Sequence, residues 1–328
     1  MPDLILHHYP TSPFAEKIRL ILGYKQLAWK SVIIPRTMPK PDVVALTGGY
    51  RKTPVLQIGS DVYCDTALIC DVLEHLAPTP ALYPAAHKGM ARVLAQWADN
   101  TVFWAAMGYN FSPAGVAQLF SGGNPDAPAE QWAPVAKSFA EDRAKMRLGM
   151  PRMAAGDATA AYKSYLRRLA NMLDEQPYLF GSAPCAADFA AYHPLWFTRT
   201  QTSVMAGILD ATPNVLAWMM RIADIGHGHF EKYDATKAIA QCASNTPATG
   251  QFGHLLSASP FQDEHGIPLG SQVVISAESF GPEPTEGTLL AATRMHYTLR
   301  RQDPRAGTVH VHFPRIGYHL KRAESVPH

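Results

Sequence analysis

Three short stretches of the chain place reactive side chains where backbone geometry can help them. Ser12 is followed at once by Pro13 and then by Phe14, Ile18, Ile21 and Leu22, apolar residues at helical spacing. Ser12 therefore suits the N-cap of a helix and Pro13 its first turn, where no backbone donor is needed. A hydroxyl there can cap the helix, or it can donate to an anion held at the helix N-terminus, and one side chain can do both. Asp65-Thr66 opens a second helical stretch reaching about Leu76. Its free N–H groups and the Thr66 hydroxyl suit a carboxylate, although Asp65 also suits plain capping. The third stretch, His310-Val311-His312, puts two imidazoles on one face of a strand. With His296 or His319 these could hold a metal, but no spacing fixes a third or fourth ligand, so they are read as half-exposed strand histidines. Cys64, Cys70, Cys185 and Cys242 form no CxxC pair and no disulfide framework.

The elements that must carry these residues fall into three kinds. Up to about residue 80, short strand-like and helix-like runs alternate. LILHHY (4–9) and WKSVII (29–34) flank the helix of 12–25, and PVLQI (54–58) and DVYC (61–64) flank a Gly59-Ser60 turn. The order implies a small mixed sheet with helices. From about 87 to 235 the strand signals vanish. Helical spacing recurs over 88–120, 134–153, 158–175, 187–200 and 213–231, giving an all-helical domain of about five helices. Residues 244–253 read as a linker. The stretch 245–328 then reads as strands SQVVISAES, GTLLAATRMHYTLRR and GTVHVHFPRIGYHL between turn-rich segments, a β-meander or small sheet.

Composition limits what such a chain does. Of 328 residues, 47% are hydrophobic and 17% charged, enough to bury cores and too little charge for a disordered tail. Twenty-nine Lys and Arg face 27 Asp and Glu, without blocks, which argues against nucleic acid as a partner. No apolar run approaches a membrane span, and MPDLILHHYP carries no signal-peptide pattern, so a soluble cytoplasmic protein is expected.

Across residues 1–235 the chain resembles the cytosolic glutathione transferases, which join a thioredoxin-like α/β domain to an all-α helical one. Four motifs carry the resemblance, in order: SPFAEKIRL at 12–20, similar to the omega and tau types; Lys40-Pro41-Asp42; Thr53-Pro54-Val55-Leu56; and Asp65-Thr66. The resemblance implies glutathione as co-substrate, no metal, a homodimer, and transfer to a small apolar electrophile, typically in detoxification. It implies that Ser12 stabilises the glutathione thiolate, since a free thiol near pKa 8.5 is mostly protonated at neutral pH. Tyr9, directly after the first strand, is the alternative donor, as in the tyrosine classes. A serine at position 12 cannot form the mixed disulfides of a cysteine, which disfavours thiol-transfer activity.

By the same resemblance Thr53-Pro54 is cis and pairs its backbone with the tripeptide. Asp65 and Thr66 would hold the γ-glutamyl end, with Asp65 one methylene shorter than the family's Glu or Gln. Lys40 would pair with the glycine carboxylate, with Arg51 and Lys52 as alternatives, and Phe14 would pack beside the thiol. One or two of Trp97, Phe103, Trp104, Met107 and Tyr109 would face the electrophile. Cys185 stands where the family's helical capping motif has Ser or Thr three residues before Asp188. The stretch 245–328 lies outside the resemblance: it could cover the active-site mouth, form a dimer contact or bind a partner. The competing expectation is a non-catalytic module on this fold, whose β extension is an interaction surface.

Overall fold

The computed structural model describes residues 3–124, 126–245, 261–262 and 264–323. Most of the 244–253 linker lies outside them. The N-terminal unit is thioredoxin-like. Strand β1 (Ile5–His8) leads into helix α1 (Pro13–Tyr24), then β2 (Trp29–Ile33), α2 (Pro41–Thr47), β3 (Val55–Ile58), β4 (Asp61–Cys64) and α3 (Thr66–Leu76). β1 pairs with β2 in parallel and with β3 antiparallel, and β3 and β4 form a hairpin turning at Gly59, whose φ is +62°. In α1 the stripe splits: Ile18, Ile21 and Leu22 are fully buried, whereas Phe14 stays half-exposed and turns to the helical domain.

That domain comprises α4 (Lys88–Trp97), α5 (Phe103–Asn110), α6 (Pro113–Phe120), α7 (Ala129–Arg147), α8 (Ala155–Met172), α9 (Ala186–Trp196) and α10 (Pro213–Ala223). The single helical run expected over 88–120 is thus broken twice, by a π-helical turn at Ala98–Val102 and by Ser112-Pro113, which caps and restarts a helix. Ala-rich faces let α9 pack closely on α1 and α4, and the two domains share one core.

Beyond α10 the chain differs from the sequence reading. The helix expected over 213–231 ends at Ala223, and the chain then turns back to the first sheet: β5 (Phe230–Lys232) pairs in parallel with β2, and α11 (Ala235–Ser244) covers the sheet. β5, only three residues long, carries no distinct sequence signal. The extension forms β6 (Gln272–Ala277), β7 (Thr285–Ala292), β8 (His296–Asp303), β9 (Gly307–Pro314) and β10 (Tyr318–Arg322). Two runs read as single strands are each broken in two: β7 and β8 form a hairpin reversing at Thr293–Met295, while the break at Arg315–Gly317 lets β10 leave β9 and pair with β6.

The extension does not form a sheet of its own. β9 adds in parallel to the edge of β4, giving one ten-stranded sheet in the order β10-β6-β7-β8-β9-β4-β3-β1-β2-β5. An unpaired strand edge is open to such addition, and here β9 of the chain's own extension covers it. Val309, Val311 and Phe313 then join Val43, Leu46, Val55 and Ile239 in a second core.

His310 and His312, expected to be half-exposed, are buried on the opposite face of β9. His310 lies across from Asp61 and Arg300, and His312 across from Tyr63 and Thr298. The His312 ring takes Asp61 Oδ1 at 2.8 Å and Thr298 Oγ1 at 2.9 Å on its two nitrogens, and stacks on Tyr63 at 4.5 Å. A carboxylate 251 positions away in the sequence satisfies the His312 imidazole, so the pair forms a buried clasp between β4 and the extension. Among the described residues no group of three or more His, Cys, Asp or Glu side chains could hold a metal ion. No described helix is long and apolar enough to cross a membrane.

Candidate active site

Ser12 caps α1. Its N–H closes a turn onto Tyr9 O at 3.1 Å, and its Oγ accepts from the Ala15 N–H at 3.2 Å. Arg19 holds this turn from behind, donating to Pro10 O at 2.9 Å while it pairs with Glu16. Because the capping bond uses a lone pair, the Ser12 hydrogen stays free to donate to an anion at the helix mouth. Ser12 is nonetheless only 2% exposed. Tyr9, half-buried, places its ring under the Lys40 ammonium at 5.8 Å.

Thr66 shows the same logic at the start of α3. Lys17 Nζ donates to Thr66 Oγ1 at 3.1 Å and to Asp99 Oδ2 at 2.6 Å, and Asp99 Oδ1 bonds the His193 ring at 2.9 Å. Burial opposes the Lys17 charge, but Asp99 more than offsets it and the lysine pKa is raised. Thr66 Oγ1 accepts from a fixed cation, so its own hydrogen points elsewhere and is well polarised for a carboxylate. Lys17, Asp99 and His193 were not singled out in the sequence. They come from α1, the π turn and α9, and no local pattern joins them.

Asp65, just before, has φ +76°, a left-handed conformation rare outside glycine. Its Oδ1 accepts from Ala67 N at 3.0 Å, and its Oδ2 from the Tyr318 hydroxyl at 2.9 Å, with Lys52 Nζ 4.0 Å away. The Thr53–Pro54 peptide bond is cis. Lys40 is buried and donates to Arg51 O at 3.1 Å and Thr53 Oγ1 at 3.3 Å. Burial, followed by the nearby Arg143, pushes its pKa down to about 7. Of the alternatives to it, Arg51 is occupied: it pairs with Asp142 of α7 at 2.9 Å and with Glu283 of the extension. Lys52 lies over the rings of Tyr50 and Tyr318, at 5.4 and 4.8 Å.

Of the five helical-domain candidates, Trp97 packs on Tyr165, Met107 is buried, and Tyr109 donates to Met205 O and packs on Tyr162. Phe103 and Trp104 instead lie between α1 and the extension. Half-exposed rings run in a chain from Phe14 to Phe103 (4.7 Å), Trp104 (5.0 Å) and Phe280 of the extension (5.1 Å). Such faces suit an apolar or aromatic molecule. The cysteines offer no competing nucleophile: all four are buried, and burial pushes Cys70, Cys185 and Cys242 up to about 12.

A thioredoxin-like unit docked on a helical domain, with a cis proline opening β3, defines the class of fold. Family models agree: residues 6–81 match the glutathione S-transferase N-terminal domain, and residues 129–221 the C-terminal domain. The chain belongs to the glutathione S-transferase family. A solved structure of a GST-like protein from Pseudomonas syringae is 39% identical, with TM-score 0.79, covering 98% of this chain and all of that one. FzlA from C. crescentus shares the fold at 22% identity and TM-score 0.50, covering 77% of this chain and 97% of its own. Among curated proteins, pyrimidodiazepine synthase of Drosophila melanogaster is 33% identical over 94 residues, 26% of this chain and 38% of that protein. The chain thus spans well under half the length of that curated relative.

Proposed function

We propose that this protein is a glutathione-dependent transferase in which the Ser12 hydroxyl, at the N-terminus of α1, stabilises the glutathione thiolate for attack on a small apolar electrophile. The observation that carries the reading is the Ser12 cap: its oxygen accepts from Ala15 N, which leaves its hydrogen and the helix dipole for an anion. The cis Thr53–Pro54 segment would pair with the cysteinyl unit, and Thr66, backed by Lys17, with the γ-glutamyl carboxylate. Asp65 would take the γ-glutamyl amine, Lys40 the glycine carboxylate, and Phe14 would flank the sulfur. No step needs a metal. Conjugation, ether cleavage, dehalogenation and isomerisation all begin from the same thiolate; the synthase named among the relatives is one further reaction to assay. The same reading takes a cytoplasmic homodimer acting in detoxification as the working form, and light scattering checks the assembly.

Ser12→Ala is the test. Loss of one preorganised donor lowers turnover about 10²-fold. Retention of wild-type turnover in Ser12→Ala, together with its loss in Tyr9→Phe, would assign the donor to Tyr9. A second reading, a non-catalytic module, is favoured by the engagement of Arg51 and Asp65 with the extension. It requires that the chain pass through immobilised glutathione without being retained.

A further inference from the structure

We propose that Tyr318, contributed by the C-terminal extension, is a positioning residue for the amino end of glutathione, acting through Asp65; this rests on the reading of Asp65 given above. The topology explains how so distant a residue arrives. β10 pairs with β6 at the far edge of the sheet, yet the strands curl and the Arg315–Gly317 turn brings β10 back beside the end of β9. Glu278 N bonds Gly317 O at 3.0 Å, and the Tyr318 ring packs on Phe313 at 5.5 Å and Tyr50 at 6.5 Å. Tyr318 is only 5% exposed, so its hydroxyl has one fixed direction, toward Asp65 Oδ2 at 2.9 Å.

Two consequences follow for the carboxylate. With Ala67 N on one oxygen and Tyr318 on the other, Asp65 is held at both oxygens, and its side chain is oriented before any ligand binds. A phenol hydroxyl is a neutral donor, so it fixes the carboxylate without neutralising it. Lys52 is the cation that could neutralise it. Its ammonium stands 4.0 Å from Oδ2, laid over the faces of Tyr50 and Tyr318. Cation–π attraction to those faces holds the ammonium back from a close ion pair. Tyr318 thus does two things at once: its hydroxyl aims Asp65, and its ring keeps Lys52 from taking the place that a ligand ammonium needs.

The test compares glutathione with glutaryl-cysteinylglycine, the same tripeptide without its α-amino group, by calorimetry on the full chain. Tyr318→Phe keeps the ring and loses the hydroxyl; glutathione binding weakens about 3- to 10-fold, the range of one hydrogen bond, while the glutaryl analogue binds as to wild type. Tyr318→Leu also removes the aromatic face, and glutathione weakens further than in the phenylalanine variant. In the double variant with Asp65→Asn the Tyr318→Phe effect vanishes, since the two residues act as one unit. Equal weakening of both ligands, or wild-type glutathione affinity in Tyr318→Phe, overturns the proposal while leaving the transferase reading intact. Failure of the unmodified protein to bind either ligand overturns that reading and this inference with it.

Discussion

Lys40 has a buried amine whose pKa, pushed down to about 7 by burial and by Arg143, sits at the working pH. At that pH the amine carries its proton about half of the time. A carboxylate arriving beside it favours the charged form, so binding draws a proton from solvent. The thiol of glutathione would release one and blur the count, which S-methylglutathione avoids. Its binding at pH 7 takes up about half a proton per site, read from calorimetry in buffers of different ionisation enthalpy, and Lys40→Met removes the uptake. Binding heats that do not depend on the buffer in the unmodified protein would show that Lys40 does not meet the glycine carboxylate. The same geometry shows why Arg51 is a poor substitute: Asp142 and Glu283 already hold its guanidinium.

At the scale of elements, α9 shows how a weak sequence signal folds well. Cys185 lacks a good hydroxyl acceptor, but Asp188 compensates from three residues on. Its Oδ2 accepts from Cys185 N, and its Oδ1 from Leu179 N and the Trp218 indole, each at 2.9 Å. One buried carboxylate thereby ties the start of α9 to the preceding loop and to α10. Asp188→Ala strands three buried donors and costs on the order of 3 kcal/mol, measured as a lower denaturant midpoint with an unchanged slope. A loss below about 1 kcal/mol would mean that water replaces the carboxylate there. The docking of the extension is likewise built into an element: a Cβ on Gly49 would stand 2.0 Å from Pro284 O, so only glycine lets the β6–β7 loop reach the end of α2. Thr285 completes that contact by donating to Thr47 O at 3.0 Å.

For the whole molecule, buried histidines shape the response to acid, three of them strongly. Burial lowers His7 to about 4, His8 to about 3 and His296 to about 4. Below the ordinary value of about 6.5, the unfolded chain binds a proton at each, while the folded chain binds none until near pH 4. Stability therefore falls with falling pH over that window, by on the order of 4 kcal/mol per pH unit where all three contribute. Because His7 and His8 lie in β1 and His296 in β8, at opposite parts of one continuous sheet, the first sheet and the extension lose stability together. Urea midpoints compared at pH 7.5, 6.0 and 5.0 check this; a midpoint that stays flat across that range contradicts it.

Residues 1–80 were legible because each local signal agreed with the next: Ser12-Pro13 caps, Gly59 turns, and the apolar stripe of α1 has a single period. Caps, turns and periodicity are properties of a few neighbouring residues, so the chain alone fixes them. Such signals do not specify which strand edge a later strand will join. The extension could be read as strands, but its addition to β4 depends on an edge and an apolar face assembled from distant segments. For the same reason His310 and His312 were taken for half-exposed residues, since Asp61 reaches them only through that pairing. Lys17, Asp99 and His193 gather behind Thr66, and Tyr318 reaches Asp65, only once separate elements have packed. The sequence by itself determined the two-domain frame and the helix mouths; tertiary packing decided which buried charges stand behind them and that the extension reaches Arg51 and Asp65, because burial and long-range pairing exist only in the folded chain.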